Sequence, residues 1–332
     1  MHRLGMTAST IDDGGLICGF RLAPLERLDP TAPGAVNGSA PARPFWLHFN
    51  LADSRARRWV QEESGLDAAV VEALLEAEPR IHLEVAGGGI VAVLADLHHD
   101  FDNDPEGFGK LRLHADEHGI VTIRSHALQT ADRLRRELQH QLVRPESTGQ
   151  LLHVLLQRLG ETFGTVVTRI ADEVDDVEDE ILAGRFREHG KVLGRVRRSL
   201  ARLRRHANAN RLALGPLRGS LPPWLEPERD ELRDALGRLE MIAQDLELVQ
   251  ERTRLLQEEI AARLNETTNR NLAVLSTVTT ALLPITLITG IFGMNVGGLP
   301  GVNDPKGFRW VMVSMLVTVV ISLVSLLRRR SR

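Results

Sequence analysis

The sequence predicts an α+β membrane protein in three parts. These are an N-terminal cytoplasmic α/β domain over residues 1–143, a funnel or stalk of long cytoplasmic helices over 144–271, and a C-terminal two-helix transmembrane hairpin over 272–332. Three observations carry this prediction. Short strand-like runs alternate with helical stretches before residue 143. From Pro145 onward, apolar residues recur every three or four positions over long stretches. Leu272 to Phe292 then holds 21 residues without a formal charge, and a second apolar run, Trp310 to Leu327, is stopped by Arg328-Arg329-Arg330. A run of about 20 apolar residues matches the ~30 Å hydrocarbon core of a bilayer.

In chain order, the Pro/Gly/Ala-rich patch from Pro30 to Pro44 reads as a loop. Phe45-Trp46-Leu47-His48-Phe49, bounded by Pro44 and Asn50, is a buried strand candidate. Asp53 or Ser54 caps a helix holding Trp59 and Val60, and a second helix, Leu66 to Ala77, ends before Pro79. Gly87-Gly88-Gly89 joins the alternating runs 81–85 and 90–94 into a hairpin, and Asp116 to Gly119 joins 110–114 to 120–124. The triple glycine is a turn and not a phosphate loop, because no Gly-Lys-Ser/Thr follows.

The helical part opens with the stripe Leu159, Phe163, Val166, Ile170, Val174, Val177 and Ile181. Gly184 and Gly190 bracket a break, a basic helix follows to about Leu214, and Gly215 to Pro227, with four prolines and two glycines, is a turn. Leu239, Ile242, Leu246, Val249, Thr253, Leu256, Ile260 and Leu264 continue the stripe, and no glycine or proline interrupts residues 238–283. One helix is therefore expected from about Glu228 through Phe292, entering the bilayer without a break. It cannot bury its stripe alone, which implies bundling with the preceding helices and with other subunits.

A net charge of −3 speaks against nucleic acid as a partner. Cys18 is the only cysteine, so an intrachain disulfide is excluded and a reducing compartment fits. The first residues lack an apolar signal-peptide core. Arg263 and Arg270 precede the first apolar run and Arg328, Arg329, Arg330 and Arg332 follow the second, whereas the connection carries only Lys306 and Arg309. Both termini are therefore expected in the cytoplasm, with Trp310 as an anchor at the outer interface.

The connection itself reads Gly293-Met294-Asn295, followed by Gly297-Gly298-Leu299-Pro300-Gly301. Gly293-Met294-Asn295 at the end of the first of two C-terminal spans resembles the GMN signature of the CorA family of divalent-cation transporters. The longer stretch from Pro284 through Gly301 resembles most closely that family's zinc-transporter branch, ZntB. The resemblance implies a homopentamer in a bacterial-type inner membrane, embedded in lipid, with the first span of each subunit lining the pore. Stepping back from Asn295 at helical spacing, the implied pore face holds Thr286, Leu283, Thr279, Leu275 or Ser276, Leu272 and Asn269. A ring of Asn295 amides would receive the cation through its hydration water, since Mg²⁺ sheds water reluctantly. Residues 272–303 contain no Cys, His, Asp or Glu, so no zinc site of the usual nitrogen and sulfur ligands is available there. The resemblance also implies that Arg328, Arg329 and Arg330 form a basic ring involved in gating.

The expected cargo is Zn²⁺, with Mg²⁺ as the alternative. The CorA branch proper usually has an acidic loop after GMN, and Val296 to Asn303 has no carboxylate. ZntB is associated with proton coupling, although no membrane carboxylate or histidine here would carry it. A scaffold or sensor anchored by the hairpin, without a pore, is the reading from another class. The threonines and serines of the first span either bond back to their own helix or line a wet pore. The acidic run Asp172 to Glu180 is either a solvated helix face or a cation sensor, and no specific site maps onto it. Glu240, Asp245, Glu247, Glu251, Glu258, Glu259 and Glu266 are expected to make the inner vestibule negative, with some paired to Arg252, Arg254 and Arg263. His98-His99-Asp100, with Asp102 and Asp104, matches no standard zinc motif and reads as a loop. No nucleophile and base are arranged for catalysis, so neither an enzyme nor a resident cofactor is expected.

Overall fold

The computed structural model describes residues 15–28, 43–86, 88–99, 107–185, 189–219, 221–294 and 305–330. The chain divides into two compact units, Met1–Leu256 and Gln257–Arg332. The first is built on a seven-stranded mixed sheet.

Strands β1 (Leu16–Arg21), β2 (Glu26–Arg27), β3 (Phe45–Asn50), β4 (His82–Ala86), β5 (Gly89–Leu97), β6 (Phe108–Ala115) and β7 (Gly119–Arg124) lie in the order β2-β1-β3-β7-β6-β5-β4. Both expected hairpins form. Val85 faces Ile90 across the first and Ala115 faces Ile120 across the second. The tighter turn is closed by Asp116, whose Oδ1 accepts from the His118 and Gly119 amides at 2.8 and 3.0 Å. Every strand pair is antiparallel except β3 and β7, which run parallel with Leu47 opposite Val121.

Helices cover both faces of the sheet. On one face lie α1 (Ser54–Arg58), its π-helical continuation (Trp59–Glu63) and α2 (Ala68–Leu75). Asp53 caps α1 by accepting from the Arg55 amide at 2.9 Å. Ala56, Val60, Val70 and Leu74 pack there with Leu47, Phe49, Val121 and Ile123 of the strands. Helix α2 is shorter than the expected 66–77. The buried Arg112 takes the Leu74 carbonyl at 2.8 Å, which supplies a donor at the end of the helix.

On the other face lie α3 (Gln129–Gln139), α4 (Thr148–Leu182) and α5 (His189–Ala213). The whole α4 stripe from Leu159 to Ile181 is buried, as its spacing requires. The chain leaves α4 through Gly184 at φ +84°, and Gly190 is the second residue of α5, so the two glycines bracket the break as expected. Glycine is favoured at the former because a Cβ disfavours positive φ. The expected turn Gly215 to Pro227 contains two short 3-10 helices, Gly215–Arg218 and Pro223–Glu228.

Polar anchors tie these helices to the sheet. Thr122 Oγ1 receives Trp46 Nε1 at 2.8 Å and lies 2.7 Å from His48 Nδ1. Asn210 of α5 imitates a neighbouring strand, bonding the amide and carbonyl of Ala95 at 2.7 and 2.8 Å. An alternating network joins α3 to α4, with Arg158 meeting Glu137 at 2.6 Å and Glu161 at 2.9 Å while Arg133 reaches the same two carboxylates. Asp96 accepts from the Leu97 amide at 2.8 Å, the Thr130 hydroxyl at 2.7 Å and the Thr130 amide at 3.1 Å.

Burial pushes the Asp96 carboxyl up to about 6 despite those donors. A carboxyl raised in the folded state contributes stability that is fully present below its unfolded value of 3.8 and is lost as pH rises through about 6. In Asp96→Asn that slope disappears, while the new NH₂ opposes the Thr130 donors. The melting-temperature deficit of the variant should therefore be large near pH 4 and shrink by pH 7, read by circular dichroism; a deficit independent of pH would contradict the buried titration.

Candidate functional site

Helix α6 (Arg229–Phe292) is 64 residues long with Pro284 inside it, as expected from the sequence. At 1.5 Å per residue it extends roughly 100 Å. Its inner part belongs to the first unit, and there it carries two apolar faces. Leu232, Leu239, Leu246 and Leu256 are buried, with Thr253 among them, and close a three-helix bundle with α4 and α5. Met241, Leu248 and Leu255, seven residues apart on the opposite face, are exposed. The stripe expected to hold subunits together is thus spent inside the chain as far as Leu256.

The carboxylates of α6 expected to line a vestibule are also largely engaged. Glu240 lies 3.2 Å from Arg211 and 2.7 Å from Arg218, Glu251 pairs with Arg254 at 2.5 Å, and Glu259 pairs with Arg263 at 2.5 Å. Glu247 lies 3.4 Å from Arg204. Arg252 does not pair along its own helix but reaches Asp175 and Glu178 of the acidic run. Glu180 pairs with Arg185 at 2.5 Å, and that guanidinium holds its carboxyl below the usual range. Among the described residues no cluster of three or more His, Cys, Asp or Glu could hold a metal ion. Asp100, Asp102 and Asp104 lie outside the described residues, and the neighbouring His98 ring packs on His126 with centroids 5.0 Å apart.

Beyond Leu256 the helix belongs to the second unit. Asn269, Leu272, Leu275, Ser276, Thr279, Leu283 and Thr286 are all exposed, and helical geometry places them on one face. An open, one-sided groove of about 810 Å³ runs along this side, and all of its lining, including Thr279, Leu283, Thr286, Gly290 and Met294, comes from α6 and the turn that ends it. Its threonine hydroxyls bond back to their own helix. Thr279 donates to the Leu275 carbonyl and Thr286 to the Leu282 carbonyl, each at 2.9 Å. Donation uses the proton and leaves the hydroxyl oxygen as an acceptor on the groove. Pro284 has no amide proton, so the Thr280 carbonyl loses its helical donor one turn below.

The helix ends at Gly293, whose amide donates to the Thr289 carbonyl at 2.8 Å. A Cβ at this position would come within 2.8 Å of that same carbonyl, so only glycine closes the turn without a shift. Met294 follows, exposed at the end of the groove. Asn295 lies outside the described residues. Helix α7 (Gly307–Arg330) contains the backbone of Arg328, Arg329 and Arg330. Among the described residues one helix is long and apolar enough to cross a membrane, Pro223–Phe292, and α7 supplies a shorter apolar stretch, Gly307–Ser322. The second apolar run expected from the sequence, Trp310 to Leu327, lies wholly within α7.

The family model described as CorA-like Mg²⁺ transporter protein matches residues 42–329. This chain belongs to that family. Among its relatives is the divalent cation transporter CmaX of Pseudomonas aeruginosa, 30% identical over 278 residues, covering 82% of this chain and 83% of the relative. The zinc transport protein ZntB of Yersinia pseudotuberculosis is 26% identical over 288 residues, covering 86% and 87%. The solved full-length CmaX structure superposes with a TM-score of 0.82 at 27% identity, covering 97% of this chain and 100% of that one. The complete CorA magnesium transporter from Methanocaldococcus jannaschii gives a TM-score of 0.77 at 20% identity over 92% and 96%, a likeness of fold. The N-terminal α/β domain and the long helix are thus the family's architecture.

The two faces of α6 separate what folding needs from what it does not, one being buried and the other exposed. Leu246→Asp places an unpaired charge in the bundle and should cost several kcal/mol, enough to unfold or aggregate the protein. Leu248→Asp, two residues on and exposed, should leave the circular-dichroism melt unchanged. Equal damage from both would contradict the separation.

Proposed function

We propose that the protein carries a divalent cation across a bacterial-type inner membrane through a homopentameric pore lined by α6. The observation that carries this reading is the uncharged, exposed groove face of α6, which leads to Gly293-Met294-Asn295 in a chain of the CorA-like family. A single pair of helices cannot enclose water, so several copies are needed. The exposed row Met241, Leu248 and Leu255 offers a surface for their packing. The hairpin of α6 and α7 crosses the bilayer with both termini in the cytoplasm, because the arginines flank the inner ends of both helices.

The cation travels hydrated. The groove offers hydroxyl oxygens and leucine side chains without a carboxylate, imidazole or thiolate that would replace the water shell. Asn295 amides at the outer mouth accept hydrogen bonds from coordinated water, and binding that is weak keeps entry from becoming a trap. Arg328, Arg329 and Arg330 form a basic ring at the inner mouth that contributes to gating. Zn²⁺ is the preferred cargo, supported by the likeness to ZntB and by a loop free of carboxylates from Val296 to Asn303. Mg²⁺ is the second reading, favoured by the fold likeness to a magnesium transporter. Proton coupling belongs to the zinc reading.

Two experiments test this. Asn295→Ala removes charge-assisted hydrogen bonds worth roughly 1.5–3 kcal/mol each, so flux should fall severely while assembly survives. Asn295→Asp keeps the shape and adds charge, so apparent affinity should rise as maximal flux drops. Normal flux through correctly assembled Asn295→Ala would refute the mechanism. For topology, a cysteine replacing Asn303 should react with an impermeant maleimide added outside, and one replacing Ser331 should not; the reverse pattern would overturn the orientation. Cys18 stays silent in this assay, since it is buried and its thiol is pushed up to about 12.

A further inference from the structure

The outward faces of α4 and α5 carry opposite charge at matching heights. On α4, Asp172, Asp176 and Asp179 recur at steps of four and three, opposite the buried Val174, Val177 and Ile181, and all three are exposed. On α5, Lys191, Arg195, Arg198, Arg202 and Arg205 recur at steps of four, three, four and three, opposite the buried Leu193, Val196, Leu200 and Leu203. Lys191, Arg195 and Arg198 are exposed, and neither they nor the three aspartates form an ion pair with another described residue. Like charges three and four residues apart destabilise a helix by about 0.2–0.5 kcal/mol per pair. These two sets of three therefore cost stability that no ion pair among the described residues of the protomer returns.

The rows also point in different directions. Ion pairs and hydrogen bonds tie all three pairs of helices in the bundle. Arg252 of α6 reaches Glu178 of α4, Arg204 of α5 reaches Gln250 of α6 at 2.9 Å, and Glu180 of α4 lies 3.9 Å from His189 of α5. In such a triangular bundle each outward face looks away from the common centre, so the acidic and basic rows lie on separate sides of the protomer.

Their heights agree. Helices α4 and α5 run antiparallel, since the start of α4 and the end of α5 both contact the sheet, through Thr148 at Glu117 and Asn210 at Ala95. Asp176 stands six residues before the end of α4 at Leu182, and Arg195 stands six after the start of α5 at His189. Asp179 and Lys191 stand three and two residues from those same ends, and Asp172 and Arg198 stand ten and nine. At about 1.5 Å per residue the three pairs are level to within roughly 2 Å.

A cyclic ring whose axis runs along the bundle relates neighbours by rotation without translation, and its contacts are heterologous: one patch meets a different patch at the same height. We infer that the acidic row of α4 docks on the basic row of α5 of the next copy, Asp172, Asp176 and Asp179 meeting Arg198, Arg195 and Lys191. The inference rests on the multi-subunit reading above and specifies its contact. It also divides six of the seven carboxylates of the acidic run: Asp175, Glu178 and Glu180 are used within the chain, and Asp172, Asp176 and Asp179 between chains, with Glu173 in neither set.

Two single variants of the full chain, Asp176→Cys and Arg195→Cys, are purified in detergent separately and after co-expression with different tags, then treated with a short bis-maleimide. Cys18 remains buried and unreactive. Co-expressed chains should yield a mixed cross-linked dimer, and neither variant alone should yield one. An intact ring by native mass without the mixed dimer would overturn the inferred contact and leave the transporter reading standing. A dimer from Arg195→Cys alone would overturn it as well, because like rows would then meet. If the thiol introduced by Arg195→Cys were shielded from maleimide only in bilayers containing anionic lipid, and open in the detergent ring, the basic row would face lipid and the inference would fail. A native mass of one copy would remove both this contact and the multi-subunit pore.

Discussion

One helix has to satisfy two environments, and most of the structure follows from that. Up to Leu256, α6 presents Leu232, Leu239 and Leu246 to a packed bundle and lets charged residues face water. Past Asn271 it carries 21 residues without a charge, with leucines such as Leu275 and Leu283 more than half exposed. Apolar surface of that extent is unfavourable in water at about 25 cal/mol per Å². A bilayer and neighbouring copies, as proposed above, would remove it from water. The backbone needs no help in either medium, because a helix satisfies its own hydrogen bonds. Within this otherwise apolar segment the exceptions are hydroxyls and the carbonyl freed by Pro284. These are neutral oxygens of the kind that can touch a hydrated cation without holding it.

Charge is managed by position. Carboxylates of α6 facing α5 and the following 3-10 turn are neutralised locally, as Glu240 is by Arg211 and Arg218. Arg252 is drawn across the bundle to Asp175 and Glu178 and fastens α6 to α4. On the outward faces of α4 and α5, the exposed charges without an ion pair among the described residues include an acidic row, Asp172, Asp176 and Asp179, and a basic row, Lys191, Arg195 and Arg198. Exposed ion pairs contribute little individually, so such rows set register and partner choice more than strength. The packing energy of a ring would come from apolar surface such as Met241, Leu248 and Leu255.

The long helices are legible in the sequence because their apolar residues keep a period of 3.6 for many turns, and the hairpins because glycine and aspartate mark their turns. Helix α3 is not. Its buried positions, Ala131, Leu134 and Leu138, are spaced correctly but sit among five arginines and acids that mask the stripe. Strand β1 is a short run, LICGFR, whose burial depends on pairing with β3. The parallel contact of β3 with β7 joins residues more than seventy positions apart, and no local pattern encodes it. At the site, the spacing of Thr279, Leu283 and Thr286 is enough to define one face. That their hydroxyl protons turn back to the helix, and that the Leu246 stripe is consumed within the chain, depend on geometry that periodicity does not carry.

The central claim is that this chain moves a divalent cation along α6. Uptake of radiolabelled Zn²⁺ and Mg²⁺ by the purified protein in sealed proteoliposomes, with and without an imposed pH gradient, tests it most directly. The account predicts accumulation well above protein-free vesicles, greater for Zn²⁺ than for Mg²⁺ and enhanced by the gradient. Uptake of neither ion above protein-free vesicles, by protein whose native mass shows an assembled ring, would contradict it.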